Sequence, residues 1–340
     1  MNFSHLKVII ILISFIPAVS LAQDIHFSQV QKAPLHLNSA QTGIFEGNIR
    51  LTGLYRNQWY KIDHPFTTMQ LSVDAPSRFM GRQIGIGGIF IHDQATDNYL
   101  NTDKFLFSLS HSFFYQNHQF IVGLQPGVTL KTYDRNRITF GSQFDPNSNT
   151  FDPDSPSSEE GLSDELQYFD LNAALYWRAK INNKLPSAGI SLQHINQPVE
   201  SFYNNSDNNR VAITYNLHGS IVVPIGEQSD IEPLLYYSTN LSVSELLLGG
   251  TYGYRPTFWQ PGVQKLSVYS VLRLNPFSNT DAFVIGGSVK VLNFDIGISY
   301  DFNVSELRKA SSYQGAYEVS IIYITNRKRK TANAEPCFMM

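Results

Sequence analysis

The chain has 340 residues, of which 42% are hydrophobic, 13% aromatic and only 16% charged; soluble domains carry roughly 25% charged residues. A net charge of −3 gives no electrostatic reason to expect a nucleic-acid partner, and the lone Cys337 excludes an intrachain disulfide. Few charges together with 18 Tyr and 23 Phe suit a wall that meets lipid on one side.

In chain order, the first element is a leader. Lys7 precedes the apolar run Val8 to Ile16, and small residues stand at Ser20 and Ala22. This pattern predicts a secretory signal peptide over 1–22, cleaved between Ala22 and Gln23. The run is well short of the ~20 apolar residues that span a bilayer as a helix. Beyond residue 22 no apolar stretch reaches that length, so helical membrane spans are excluded. Residues 23–45 follow as a polar segment, expected in the periplasm or in the lumen of whatever is built behind it.

From residue 46 to 326 apolar and polar residues alternate in segment after segment. Ile49, Leu51, Tyr55 and Trp59 alternate with Arg50, Thr52, Arg56 and Gln58. Phe105, Phe107, Leu109 and Phe113 alternate with Lys104, Ser108, Ser110 and Ser112, and Phe120, Val122, Leu124, Val128 and Leu130 follow the same rule. Val211, Ile213, Tyr215, Leu217 and Ile221 oppose Thr214, Asn216, His218 and Ser220. The clearest case sets Phe294, Ile296, Ile298, Tyr300 and Phe302 against Asn293, Asp295, Gly297, Ser299, Asp301 and Asn303. Such a period of two places one face in a hydrophobic medium and the other in a polar one.

The pattern predicts strands at roughly 46–60, 66–75, 82–93, 103–115, 118–132, 165–178, 184–195, 210–223, 230–239, 245–254, 265–274, 281–290, 293–302 and 314–325. That is about 14, an even number, as a closed bacterial barrel requires. The expected fold is all-β: a single-domain transmembrane antiparallel β-barrel in the cell outer membrane, with lipid as its first partner. A soluble sandwich is the competing architecture, but it normally carries more charge. Long polar connections at about 133–164, 196–209 and 303–313 alternate with tight turns at Gln116-Asn117 and Val291-Leu292, as expected of outward loops and periplasmic turns. The stretch 255–264 breaks this parity. A basic tail at 327–340, with Arg327-Lys-Arg-Lys330, is expected on the periplasmic side, either meeting anionic partners or staying solvated.

No chemistry announces itself. The nine His residues show no metal-ligand spacing, and His111 and His218 read as ordinary strand residues. Asp145-Pro-Asn147-Ser-Asn149 begins like a calcium loop, but Thr150 and Pro156 stand where Gly and Glu are needed. Asp152, Asp154, Glu159 and Glu160 therefore read as a solvated acidic loop. Nucleotide-binding and hydrolase motifs are missing, so no catalytic residue, metal or cofactor is expected. Inward-facing Arg50, Arg56, Asp170, Arg178, Asp295, Asp301, Asn303 and Glu318 either line water or pair with one another and close the pore.

Certain motifs carry a resemblance. Phe27-Ser28-Gln29, Asn38-Ser39-Ala40, Thr42-Gly43 and Tyr55-Arg56-Asn57-Gln58-Trp59 near the start, with Tyr300-Asp301-Phe302-Asn303-Val304-Ser305 and Gly315-Ala-Tyr-Glu318 near the end, resemble the PorP/SprF family. Those are outer-membrane proteins of the type IX secretion system of Bacteroidota, linked to gliding motility. The resemblance implies a non-enzymatic barrel that assists export or surface anchoring of an adhesin-like partner and meets periplasmic components of the system. The alternative is a channel for small or hydrophobic solutes. Under this resemblance Phe27, Ser28, Gln29, Asn38, Arg56, Gln58 and Trp59 become candidates for partner binding or for a plug. Where the family has Asn-Pro-Ala, Ser39 replaces the proline, and a looser local turn is expected.

Overall fold

The computed structural model describes residues 25–59, 65–95, 100–134, 141–146, 148–152, 155, 162–203, 209–240, 242–257, 262–276, 280–305 and 314–325. The expected signal peptide, the basic tail with Cys337, and the acidic Asp154, Glu159 and Glu160 lie outside the described residues.

The strands are β1 Arg50–Gln58, β2 Phe66–Phe79, β3 Arg82–Ala95, β4 Leu100–Tyr115, β5 His118–Tyr133, the short β6 Phe144–Asp145 and β7 Thr150–Phe151, then β8 Glu165–Ala179, β9 Leu185–Gln193 and β10 Thr214–Ile225. They continue as β11 Ser229–Thr239, β12 Ser244–Tyr254, β13 Val263–Leu274, β14 Thr280–Val291, β15 Phe294–Asn303 and β16 Gln314–Ile324. All but β6 and β7 form a closed antiparallel barrel of 14 strands. Each strand pairs with its chain neighbour, and β1 closes on β16 from Arg50 opposite Ile324 to Gln58 opposite Ala316. Closure leaves no edge with unpaired backbone groups, the condition for crossing lipid with strands. No described helix is long and apolar enough to cross a membrane.

The alternation read from the sequence is the inside and outside of this wall. In β15, Phe294, Ile296, Ile298 and Phe302 are exposed on the outer surface, while Ser299, Asp301 and Asn303 are buried. Phe105, Phe107 and Leu109 of β4 and Phe120, Val122 and Leu124 of β5 likewise face out. At one end, tight turns join β2 to β3, β4 to β5 and β14 to β15. Met80 (φ 50°) and Gly81 (φ 76°) both take positive φ, matching a turn whose twist suits the flanking strands. The longer connections gather at the other end, hereafter the loop side.

Several boundaries differ from expectation. β1 starts at residue 50 instead of 46, and Phe45, ahead of it, packs under the Arg50 guanidinium at 4.7 Å. β10 begins at Thr214, so Val211 and Ile213 precede the strand, and the Val211 N–H donates to Pro198 O in the loop. The 133–164 connection contains the β6–β7 hairpin, where Phe144 and Phe151 meet edge to face at 5.2 Å. β13 begins at Val263, so the connection expected over 255–264 spans 255–262; by length it is still the longest at the turn end.

Candidate functional site in the lumen

The lumen is filled by the chain's own N-terminal segment. Residues 25–48 form a 3-10 turn at Val30–Lys32, a four-residue helix α1 at Pro34–Leu37 and a second 3-10 turn at Ser39–Gln41. Pro34 opens α1, where its missing N–H costs nothing. Asn38 then caps the next turn by accepting from Ala40 N at 2.9 Å. Ser39, at the position where the family has proline, thus opens a turn that the Asn38 side chain caps.

The path of the segment follows from its contacts. Lys32 dips toward the turn end, where its Nζ lies 2.6 Å from Asp295, the second residue of β15. The chain then returns toward the loop side, where Gln193, the last residue of β9, donates to His36 O at 3.3 Å. It descends again, Gly43 N donating to Asp74 at 2.7 Å. Asp74 also accepts from Arg50 through two nitrogens at 2.9 and 2.7 Å, which ties the exit of the segment to the wall.

Between these ends the plug is held by apolar patches that the barrel turns inward. Phe27 and Ala33 pack on Leu54, and Leu35 packs on Ile89, Ile91 and Leu106. Val30 meets Leu234, Leu247, Val271 and Val284, and Ala40 meets Ile121 and Ala174. Where the plug's backbone comes closest, the wall has glycine. A Cβ at Gly123 would fall on the backbone of Ser39 and Ala40, and one at Gly85 on Thr42 O.

The polar centre is a charge cluster around Ser28 and Gln29. Glu318 accepts from the backbone N–H of Ser28 at 2.6 Å and of Gln29 at 2.9 Å, and Arg56 Nη1 reaches the same carboxylate at 2.5 Å. Ser28 Oγ donates to Asp301 at 2.7 Å. Arg56 and Arg273 each bring Nη1 to that Asp301 oxygen, at 3.2 and 3.0 Å. The Gln29 amide bridges Ser299 at 3.1 Å and Ser320 at 2.8 Å. Asp301 and Glu318 are 0% and 1% exposed, so these charge-assisted bonds stand in for water lost on burial.

The structure thus brings together Phe27, Ser28, Gln29, Arg56, Asp301 and Glu318. Asn38 joins the plug elsewhere, its Nδ2 lying 3.0 Å from Leu175 O and 3.1 Å from His218 Nε2. Asp295 pairs with Lys32, and Asn303 accepts from Ser305 N, capping its own loop. Gln58 stands 3.4 Å from Arg56 Nη2. Trp59 does not join them; at the loop-side rim its ring meets Phe66 edge to face, and its backbone N–H donates to Gly315 O. Sequence reasoning missed Arg273, although its place between outward Leu272 and Leu274 was a signal. It also missed the inward apolar set. Ile89-Phe90-Ile91 was one visible trace of it, because apolar residues there occupy both faces of the strand.

Among solved structures, the fold is similar to that of a Pseudomonas aeruginosa FadL homologue, with 10% identity, 84% of this chain and 92% of that chain covered, and a TM-score of 0.46. It is also similar to the TodX monoaromatic hydrocarbon channel, with 8% identity, coverage of 87% and 94%, and a TM-score of 0.47. No curated protein matches the chain. The family model for the type IX secretion system membrane protein PorP/SprF matches residues 19–323, and the chain belongs to that family.

Proposed function

We propose that this outer-membrane barrel is a non-enzymatic component of the type IX secretion system that assists export, or holds at the surface, a partner protein such as an adhesin, in the service of gliding motility. Membership of the family supports a role in secretion. The observation that carries the finer reading is the plug: the lumen is occupied by residues 25–48, bound from Ser28 to Asp74 by buried charge pairs. A lumen so filled favours a scaffold over a conduit for solutes. The loop-side mouth is then the surface offered to an exported partner, and the turn end faces periplasmic components.

Deleting the gene is expected to abolish surface display of the cognate partner while leaving small-solute uptake unchanged. Purified wild-type barrel is expected to be silent in planar bilayers. Normal display in the deletion strain sinks the export role, and steady wild-type conductance supports the solute channel instead.

A further inference from the structure

The rim at the turn end is uneven in charge. Consecutive barrel strands β2, β3, β4, β5, β8 and β9 meet it through the turn segments 75–84, 112–121 and 176–187. These segments hold Arg78, Arg82, Arg178, Lys180 and Lys184, and no Asp or Glu. Arg178 turns inward, its Nε donating to Gln119 at 2.7 Å, which leaves the other cations at the rim. The second and third turns touch, Lys180 N donating to Asn117 O at 3.1 Å. Elsewhere on the rim, cations are answered by acids. Asp230 pairs with Arg255 at 2.6 Å and Lys265 at 2.9 Å, and Asp295 pairs with Lys32 at 2.6 Å. Among the described residues, no hydrogen bond or ion pair engages the side chains of Arg82, Lys180 or Lys184.

The same three turns carry apolar side chains on the outer face of the wall. Phe79 stands directly opposite Arg82, Phe113 opposite Phe120, Phe120 opposite Trp177, and Ile181 opposite Lys184. Residues paired across a ladder share one face of the sheet, so Arg82 and Lys184 project outward with Phe79 and Ile181. Phe79, Phe113, Phe120 and Ile181 are exposed, and Met80 at the first tip is 86% exposed. Trp177 Nε1 donates to His118 Nδ1 at 3.2 Å, which fixes the indole at this edge. The lipid-facing rows of β4 and β5 therefore end in rings, with cations on the turns on either side.

We propose that this half of the turn-end rim is a binding surface for anionic phospholipid. Arg82 and Lys184 meet the headgroup phosphates, Arg78 and Lys180 add to the local positive field, and Phe79, Phe120 and Trp177 lie against the upper parts of the chains. Rings at the hydrocarbon boundary with long cationic side chains reaching past them are suited to the membrane interface. A zwitterionic headgroup brings an ammonium for which these turns offer no carboxylate, so the acid-free surface favours a net negative headgroup. A water-borne acidic protein would use the cations at the tips but not the outward Phe113, Phe120 and Trp177. The surface depends on the barrel's place in the outer membrane and not on the export role, so it stands or falls separately.

The test is tryptophan fluorescence in lipid vesicles. Among the three tryptophans, Trp59→Phe and Trp259→Phe leave Trp177, within the surface, as the reporter. This full-length parent is folded into dioleoylphosphatidylcholine vesicles containing rising fractions of chain-brominated phosphatidylglycerol or, in parallel, chain-brominated phosphatidylcholine. Bromines quench an indole that they touch. Brominated phosphatidylglycerol is expected to occupy the surroundings of Trp177 about fivefold more readily than brominated phosphatidylcholine. Arg82→Gln with Lys184→Gln is expected to abolish that preference. Arg255→Gln with Lys290→Gln, which removes the same charge from the other half of the rim, is expected to leave it unchanged. Equal quenching by the two lipids, an undiminished preference in the first double variant, or an equal loss in the second overturns the proposal. If the first double variant does not fold, Arg82→Gln and Lys184→Gln are compared singly, and an undiminished preference in both overturns it.

Discussion

At the level of single residues, Arg56 carries more of the lumen than any other side chain described. It touches Ser28, Asp301 and Glu318, and so joins the plug to β15 and β16 from its own place on β1. Its removal leaves Glu318 with the two backbone N–H donors of the plug and leaves Asp301 to Arg273 and the Ser28 hydroxyl. Removing one member of a buried ion cluster strands the others in a medium that solvates them poorly, at a cost of about 3–5 kcal/mol. Arg56→Met is therefore expected to lower stability by about that amount, read from denaturant unfolding of the detergent-solubilised barrel. Arg56→Lys keeps the charge but not the fork that serves two carboxylates at once, and is expected to fall between the two. A wild-type midpoint for Arg56→Met would show that the cluster does not hold the plug.

At the level of elements, the plug and the wall fit through glycine. Gly123 of β5 faces the turn Ser39–Gln41, and a larger side chain there must push that turn aside. Overpacking of this kind costs typically ~1–3 kcal/mol, comparable to the hold of one anchor, so the middle of the plug is expected to shift. Gly123→Val should then give measurable ion conductance in planar bilayers where the wild type is silent. Gly53→Ala, whose added methyl meets nothing nearer than Leu71 at 3.5 Å, should remain silent. The elements also show how far the sequence could be read. The outward half of each strand was legible because lipid imposes a strict period of two on Phe294, Ile296 and Ile298. The inward half was not, because its partner is another stretch of the same chain. Leu247 and Val284 are apolar on the lumenal face, where they form one cluster with Val30 of the plug. The link from Ser28 to Asp301 spans 273 positions, and no local pattern announces it. The bound of β10 slipped for a similar reason: Val211 is apolar yet is placed by a contact outside the strand.

For the whole molecule, the division of the wall into a lipid face and a plug face sets how depth and side govern substitution. Phe107 lies near the middle of β4 and faces out, while its neighbour Ser108 is fully buried and shares a hydrogen bond with Thr42 of the plug at 2.6 Å. An arginine at position 107 must reach headgroups from near mid-bilayer, at a cost of about 2–4 kcal/mol. Phe113, on the same face but near the turn end of β4, lies close to the interface, where the same change costs about 0–1 kcal/mol. Phe107→Arg is thus expected to reduce the fraction of barrel that folds into lipid vesicles, assayed by heat-modifiable gel migration, while Phe113→Arg folds almost as well as the wild type. Phe107→Leu controls for lost volume. Equal folding of the two arginine variants would mean that the outward phenylalanines do not meet a bilayer graded in depth. A steep difference would locate the hydrocarbon midplane across β4, at the height where the plug crosses the lumen.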